Sequence, residues 1–222
     1  MNIMHNAVQE LAVNIPGATD LFNNYHIDFT AQQPLLLKDT EISGEITLFN
    51  LVEKLDSLLH EHAMSRHNQW QAVSKQELIA HILENYHAKH RVQLSDAIRL
   101  SQKIANAHAS HPDFPHELES HLAQMQFELE EHMMKEELIL FPMLEKGMFP
   151  LGPISVMESE HIDHAKALEL LRTITNEFSP PKDACNSWIT LYKDLLELYF
   201  DLKDHIHLEN EILFQAEDQP AR

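Results

Sequence analysis

Apolar residues recur at alternating steps of four and three along two long stretches of this 222-residue chain. One stretch runs through Leu118, Leu122, Met125, Leu129, His132, Glu136, Ile139 and Met143, the other through Leu191, Leu195, Leu198, Leu202, His205, Glu209, Ile212 and Ala216. That period lines one face of a helix and makes the seam of a helical bundle. Helix punctuation supplies the boundaries. Ser74-Lys75-Gln76-Glu77 is a capping-box signature that opens a first bundle helix, running to about residue 109 and stopped by His111-Pro112-Asp113-Phe114-Pro115. A second helix is predicted over about 115–146, with Pro142 kinking or fraying its last turn. After the break at Phe149-Pro150-Leu151-Gly152-Pro153, a third covers about 154–178 and a fourth about 183–217, separated by Ser179-Pro180-Pro181. Short connections between long helices make neighbours antiparallel, so residues 71–222 are expected to be an all-α, up-down-up-down four-helix bundle. Residues 1–70 read as a separate small helical N-terminal domain and linker. Its short helices, around 5–14 and 18–25, are broken by Pro16-Gly17, and a helix over 45–63 leads into the polar stretch Met64-Ser65-Arg66-His67-Asn68-Gln69.

Composition narrows the picture. Four glycines are too few for the turns of an all-β protein. No apolar run reaches 18 residues, so no membrane helix and no membrane partner are expected, and Met1-Asn2-Ile3-Met4-His5 has neither the basic segment nor the apolar core of a secretion signal, which predicts a cytoplasmic protein. Sixteen Lys and Arg against 35 Asp and Glu give a formal charge of −19, which repels phosphate backbones and argues against nucleic acid as a partner. The single cysteine, Cys185, excludes an internal disulfide framework and any cysteine-built zinc or iron–sulfur site, and reads as structural. Seventeen histidines make the chain rich in the commonest neutral metal ligand.

The candidate chemistry lies where the two apolar seams are interrupted. Both break at a His followed four residues later by a Glu. His132-Met133-Met134-Lys135-Glu136-Glu137-Leu138-Ile139-Leu140-Phe141 and His205-Ile206-His207-Leu208-Glu209-Asn210-Glu211-Ile212-Leu213-Phe214 share the pattern H-x-x-x-E-x-x-I-L-F at an offset of 73. The first and third helices carry a matching pair, Glu84-Asn85-Tyr86-His87-Ala88-Lys89-His90 and Glu158-Ser159-Glu160-His161-Ile162-Asp163-His164, both E-x-x-H-x-x-H at an offset of 74. Two related helical hairpins would gather His87, His132, His161 and His205 around one point, with Glu136 and Glu209 opposite each other. Burying an unpaired carboxylate costs several kcal/mol, and two facing each other repel. No Lys or Arg occupies either seam. Two cations would answer both problems: each glutamate bridging them, two imidazoles on each, and an open position left for a small ligand. Imidazole with carboxylate suits iron, manganese or zinc alike.

These residues resemble the hemerythrin-like di-iron bundles, and more specifically the repair-of-iron-centres (RIC, YtfE/ScdA-type) proteins. The resemblance rests on Tyr86-His87-Ala88-Lys89-His90-Arg91, on His132 through Pro142, on Gly152-Pro153-Ile154-Ser155-Val156-Met157-Glu158-Ser159-Glu160-His161, on Asp204-His205 through Leu208-Glu209-Asn210, and on Pro180-Pro181 with Ala184-Cys185. It implies two non-haem iron ions with oxo and carboxylate bridges, His87, His132, His161 and His205 as terminal ligands, and Glu136 and Glu209 as the bridges. It also implies repair of iron–sulfur clusters damaged by nitrosative or oxidative stress, as an iron donor, with reduction of nitric oxide at the di-iron centre as a further activity. Damaged iron–sulfur proteins, nitric oxide or O2, and a second copy of the chain in a homodimer are the partners expected. Leu11 through Tyr25 is similar to the family's small N-terminal domain, which usually carries an adjacent cysteine pair; Phe29-Thr30-Ala31-Gln32 stands in that place here, leaving a thiol-dependent step without its cysteines.

Two rival readings use the same residues. Glu84 and Glu158, each three before a His, with Glu136 and Glu209, form the recipe of a ferritin-like oxidase, in which His132 and His205 would be surplus. An O2 or nitric oxide carrier or sensor would need only the open position. Glu128 and Glu160 flank the site as candidate proton relays, and His90 and His164 face the core beside it as orienting or packing residues. His60, His62 and His67, and also His108, His111, His116 and His121, read as solvated surface. Met125, Phe127, Met133, Phe141, Met157, Tyr199 and Phe214 read as core and a dry wall around the site.

Overall fold

Helix follows helix along the chain because the apolar period is helical almost everywhere and glycine almost absent. The computed structural model describes residues 3–30, 33–40, 47–63 and 73–215, the side chains of 60–63 excepted. The linker 64–69, Ala31, Gln32 and Ala216 lie outside the described residues, as do His67 and the side chains of His60 and His62. The described residues contain seven α-helices and no strand beyond one bridge pairing Ala7 with Leu36. No described helix is long and apolar enough to cross a membrane.

The chain divides into two compact units: residues 1–69 together with 177–179, and residues 70–176 with 180–222. In the first, α1 (Val8–Asn14), α2 (Ala18–Asn24) and α3 (Leu48–Ala63) enclose Val8, Leu11, Phe22, Leu51, Val52 and Leu55. Gly17 caps α2 at φ 87°, a left-handed conformation that a side chain resists. Phe178 packs its ring on Phe49 within this unit.

The second unit is built on four long helices. α4 comprises Lys75–Ile82, a wide π turn at Leu83–His87 and Ala88–His108. Its capping box is formed: Ser74 Oγ accepts from the Glu77 N–H at 3.3 Å, and Glu77 Oε2 accepts from the Ser74 N–H at 3.1 Å. α5 comprises Leu118–Lys135, a π turn at Glu136–Leu140 and Phe141–Glu145; α6 is Leu151–Ile174; α7 comprises Asn186–Leu208 and a π turn at Glu209–Leu213. α6 starts earlier than the prolines of its first turn implied, since proline is tolerated there. It ends earlier too, because Asn176, Glu177 and Phe178 are left-handed (φ 49°, 54° and 56°) and no α-helix continues through them.

The π turns correct the expected seam. Each fits an extra residue into one turn, so every later side chain moves on by one place. Ile139 is therefore 53% exposed and Met143 half-buried, while Leu140 and Leu144 take the core. On α7 Leu213 is buried where Ile212 was expected. Pro142, with no N–H to donate, falls in the first turn after the widened segment. Phe127 is another correction: it is 65% exposed on the outer face of α5, whereas Met125, Met133, Phe141, Met157, Tyr199 and Phe214 are buried.

Candidate metal centre

Each bundle helix delivers one imidazole to the interior at the same level. His87 closes the π turn of α4, His132 stands in the last α-helical turn of α5, His161 lies in mid-α6, and His205 precedes the π turn of α7. Glu136 and Glu209 open the two other π turns. All six side chains are buried, with exposures of 0–2%.

The donor atoms form two groups, His87, Glu136, His205 and Glu209 in one and His132, Glu136, His161 and Glu209 in the other, with the atoms of each group within 4.8 Å of one another. Both glutamates belong to both groups and divide their oxygens between them. Glu136 turns Oε2 to His87 Nε2 (3.3 Å) and Oε1 to His132 Nε2 (3.4 Å). Glu209 turns Oε1 to His205 Nε2 and Oε2 to His161 Nε2, both at 3.1 Å.

The second layer fixes which imidazole nitrogen is free. Nδ1 of His87 lies 2.8 Å from Glu137 Oε1, that of His132 2.9 Å from Glu160 Oε2, and that of His161 2.8 Å from Asn210 Oδ1. An ionised carboxylate or an amide oxygen only accepts, so each Nδ1 carries the proton and each Nε2 presents its lone pair inward. Nε2 of His132 and Nε2 of His161 are then 3.1 Å apart, lone pair toward lone pair, beside two carboxylates. His87 Nε2, both Glu136 oxygens and Glu209 Oε2 are buried without hydrogen-bond partners. Among the described residues no Lys or Arg pairs with Glu136 or Glu209: Arg91 is held by Glu130 and Glu137, and Lys135 by Glu160. Cations fit such a pocket, because they satisfy inward lone pairs and inward carboxylates together.

Electrostatics favour the neutral form of His87 and His132. Burial, then His205, pushes His87 down to about 4, and burial, then His161, pushes His132 down to about 3. Burial and the facing Glu209 hold the Glu136 carboxyl well above the usual carboxylate range. Burial alone would raise Glu209 too, but His205 and His161 draw it below that range. Rings seal the pocket: Phe141 stacks on His87, Phe214 on His161 and Tyr86 on His205. Beneath lies an apolar cluster that includes Ile79, Ile82, Leu140, Leu144, Met157 and Leu213.

The ferritin-like reading fails on placement. Glu84 and Glu158 are exposed, at the surface of α4 and α6, while His132 and His205 are in the pocket. Glu128 is also exposed and accepts from Gln124 Nε2, whereas Glu160 orients His132. His90 and His164 are buried beside the site. His108 and His111 pack their rings on Trp188, and His121 Nε2 bonds the Ala167 carbonyl, so these are less solvated than expected. The orienting residues Glu137, Asn210 and Arg91 were missed; the signal for the first two was their place directly after each seam glutamate.

A four-helix bundle with paired imidazoles and shared carboxylates at its centre defines a hemerythrin-like cation-binding protein. Residues 78–216 match the hemerythrin HHE cation-binding domain. The chain is 39% identical over 218 residues to the iron–sulfur cluster repair protein YtfE of Dickeya chrysanthemi, covering 96% of this chain and 97% of that one. It is 40% identical to YtfE of Escherichia coli O157:H7 (92% and 93% covered) and 41% identical to YtfE of Cronobacter sakazakii (92% of each). The chain belongs to this family of hemerythrin-domain iron–sulfur cluster repair proteins.

Proposed function

We propose that this protein holds two iron ions and donates iron to iron–sulfur clusters damaged by nitric oxide or oxidants. His87 and His205 would hold one ion and His132 and His161 the other, with Glu136 and Glu209 offering an oxygen to each. The observation that carries the reading is the division of each glutamate's two oxygens between the two imidazole pairs. The family supports iron as the metal, since its named members repair iron–sulfur clusters. When bound, the iron pair supplies a transferable metal with room for a small ligand such as nitric oxide or O2, and reduction of nitric oxide is a further activity of the same centre. The chain's own residues keep His87 and His132 neutral by burial, aim the Nε2 atoms of His87, His132 and His161, and cover the site with the rings of Phe141, Phe214 and Tyr86. Of the two candidate proton relays, Glu160 is the better placed, because it already bonds His132 while partly exposed. We read the protein as cytoplasmic, with residues 1–70 a separate domain and a homodimer as its candidate assembly.

Metal analysis of freshly purified protein, combined with reactivation of a nitric-oxide-damaged [4Fe–4S] enzyme, tests this. Two irons per chain, near-ultraviolet absorption from an oxo bridge and recovery of the enzyme at the expense of bound iron are expected. Bound zinc, or full iron loading without any recovery, would overturn donation. An oxygen adduct stable for hours would favour the carrier instead.

A further inference from the structure

The two halves of the site are not equally anchored. At the His132/His161 position both imidazoles are held through Nδ1, by Glu160 and Asn210. At the His87/His205 position only His87 is held, by Glu137, itself fastened by Arg91. His205 Nδ1 is buried without a hydrogen-bond partner. The internal repeat explains why. With the offset of 74 between α4 and α6, the residue corresponding to Glu160 is Tyr86, whose ring stacks flat on His205, centroids 5.2 Å apart, and accepts nothing from it.

Beside this less anchored position stands a spare nitrogen. His90 Nδ1 lies 3.0 Å from Gln93 Oε1, and Gln93 Nε2 donates to Asp201 Oδ2 at 2.6 Å. Asp201 is in turn paired with Lys89 at 2.6 Å, and Lys89 with Glu197 at 2.8 Å. An ionised carboxylate takes only the amide N–H, so the Gln93 oxygen must face His90. His90 therefore carries its proton on Nδ1, and its Nε2 keeps a lone pair. That atom is buried and unpartnered, and the His90 ring is 5.3 Å from the His205 ring. His164 holds the corresponding place against His132, 4.9 Å between centroids, but among the described residues no hydrogen bond sets its tautomer.

A row of donors continues outward. Glu197, Asp201, His205 and Glu209 recur every four residues along α7, about 6 Å apart on one face. Side-chain exposure rises along it, from 0% at Glu209 through 1% at His205 and 6% at Asp201 to 18% at Glu197. Lys89 closes the outer end.

We propose that the metal held by His87 and His205 is the one the protein exchanges, and that His90 Nε2 receives it as it leaves toward Asp201 and Glu197. A metal there would exchange one nitrogen for another: its bond to His205 would break as one to His90 formed, and its bonds to His87, Glu136 and Glu209 would break as it passed on to Asp201 and Glu197, displacing Lys89 as an intact ammonium; no electron moves, and no proton leaves His90, whose Nε2 carries none. The inference rests on the two-metal reading above and asks which ion is mobile.

The test uses full-length protein loaded with two equivalents of Co2+ and challenged with excess EDTA, following the cobalt absorption. Two phases of one equivalent each are expected. His90→Gln should slow the fast phase by about tenfold or more, the scale on which residues around a metal act, and leave the slow phase and the stoichiometry of two unchanged. Because His90 is fully buried, Gln93→Leu provides a second variant; it releases the tautomer and should slow the same phase. Asn210→Ala should accelerate only the slow phase. An unchanged fast phase in both His90→Gln and Gln93→Leu overturns the proposal. So does a fall to one cobalt in His90→Gln, which would make His90 a resident ligand, or acceleration of the fast phase by Asn210→Ala, which would exchange the two positions. Failure of the wild type to take up two cobalt ions would sink the two-metal reading itself and is distinguishable from all of these.

Discussion

Replacing Glu136 with Met separates a carboxylate kept for metal from one kept for structure. Both oxygens of Glu136 are fully buried without hydrogen bonds, and Glu209 faces them. In metal-free protein this group must take a proton or remain an uncompensated charge; an unsatisfied buried polar group costs about 1–3 kcal/mol. Met has similar volume and no polar atom to satisfy, and exchanging buried ionic groups for apolar ones of like size is often stabilising by about 1–4 kcal/mol. The metal-stripped variant should therefore be more stable than the stripped wild type by about 2 kcal/mol, a rise of roughly 5 °C in Tm for a chain of this size. With metal the order reverses. The wild type gains about 4 kcal/mol at a thousandfold excess over Kd, and the variant, lacking one bridge, gains far less. Urea unfolding of chelator-stripped and metal-supplemented samples reads both. A stripped variant less stable than the stripped wild type by 1 kcal/mol or more would show that Glu136 is satisfied within the protein, and the argument for cations would fail.

Three further outcomes follow from placement and charge. Stripped protein should lose stability as pH falls from 6.5 toward 4: His87 and His132 titrate near 4 and 3 when folded but near 6.5 when unfolded, so the unfolded chain binds more protons across that window. Glu136 acts in the opposite sense, its contribution present below the ordinary carboxylate value and lost as pH rises through its elevated one; a Tm that stays flat from pH 6.5 to 4 would contradict these shifts. Glu84→Gln and Glu158→Gln should each retain two metals per chain by elemental analysis, while His132→Ala should not; the reverse would restore the ferritin-like ligand set. Ile139→Lys should cost within about 0.5 kcal/mol, as surface changes do, and Leu140→Lys more than about 4 kcal/mol; equal costs by urea unfolding would remove the π turn.

The sequence showed the bundle and the six inward side chains because both depend on long-range periodicity, and a duplicated seam interrupted twice by His and Glu is a strong pattern. It hid the π turns because Ile139-Leu140 and Ile212-Leu213 are apolar pairs. Either member fits a seam, so a one-residue slip leaves no trace in the hydrophobic pattern. Only the extra backbone residue in the turn selects Leu140 and Leu213. The orienting residues were hidden for another reason. Glu137 and Asn210 sit one place beyond the seam, where a polar residue reads as surface, and Gln93 meets Asp201 across 108 residues of chain. The repeat did disclose the six inward side chains, yet the differences between its copies are what set the two positions apart. Tyr86 stands where Glu160 would be, and Asn210 where Glu137 would be. A symmetric pair of hairpins would build two equal metal positions; these substitutions leave His205 Nδ1 without an acceptor and give His161 an amide where His87 has a carboxylate.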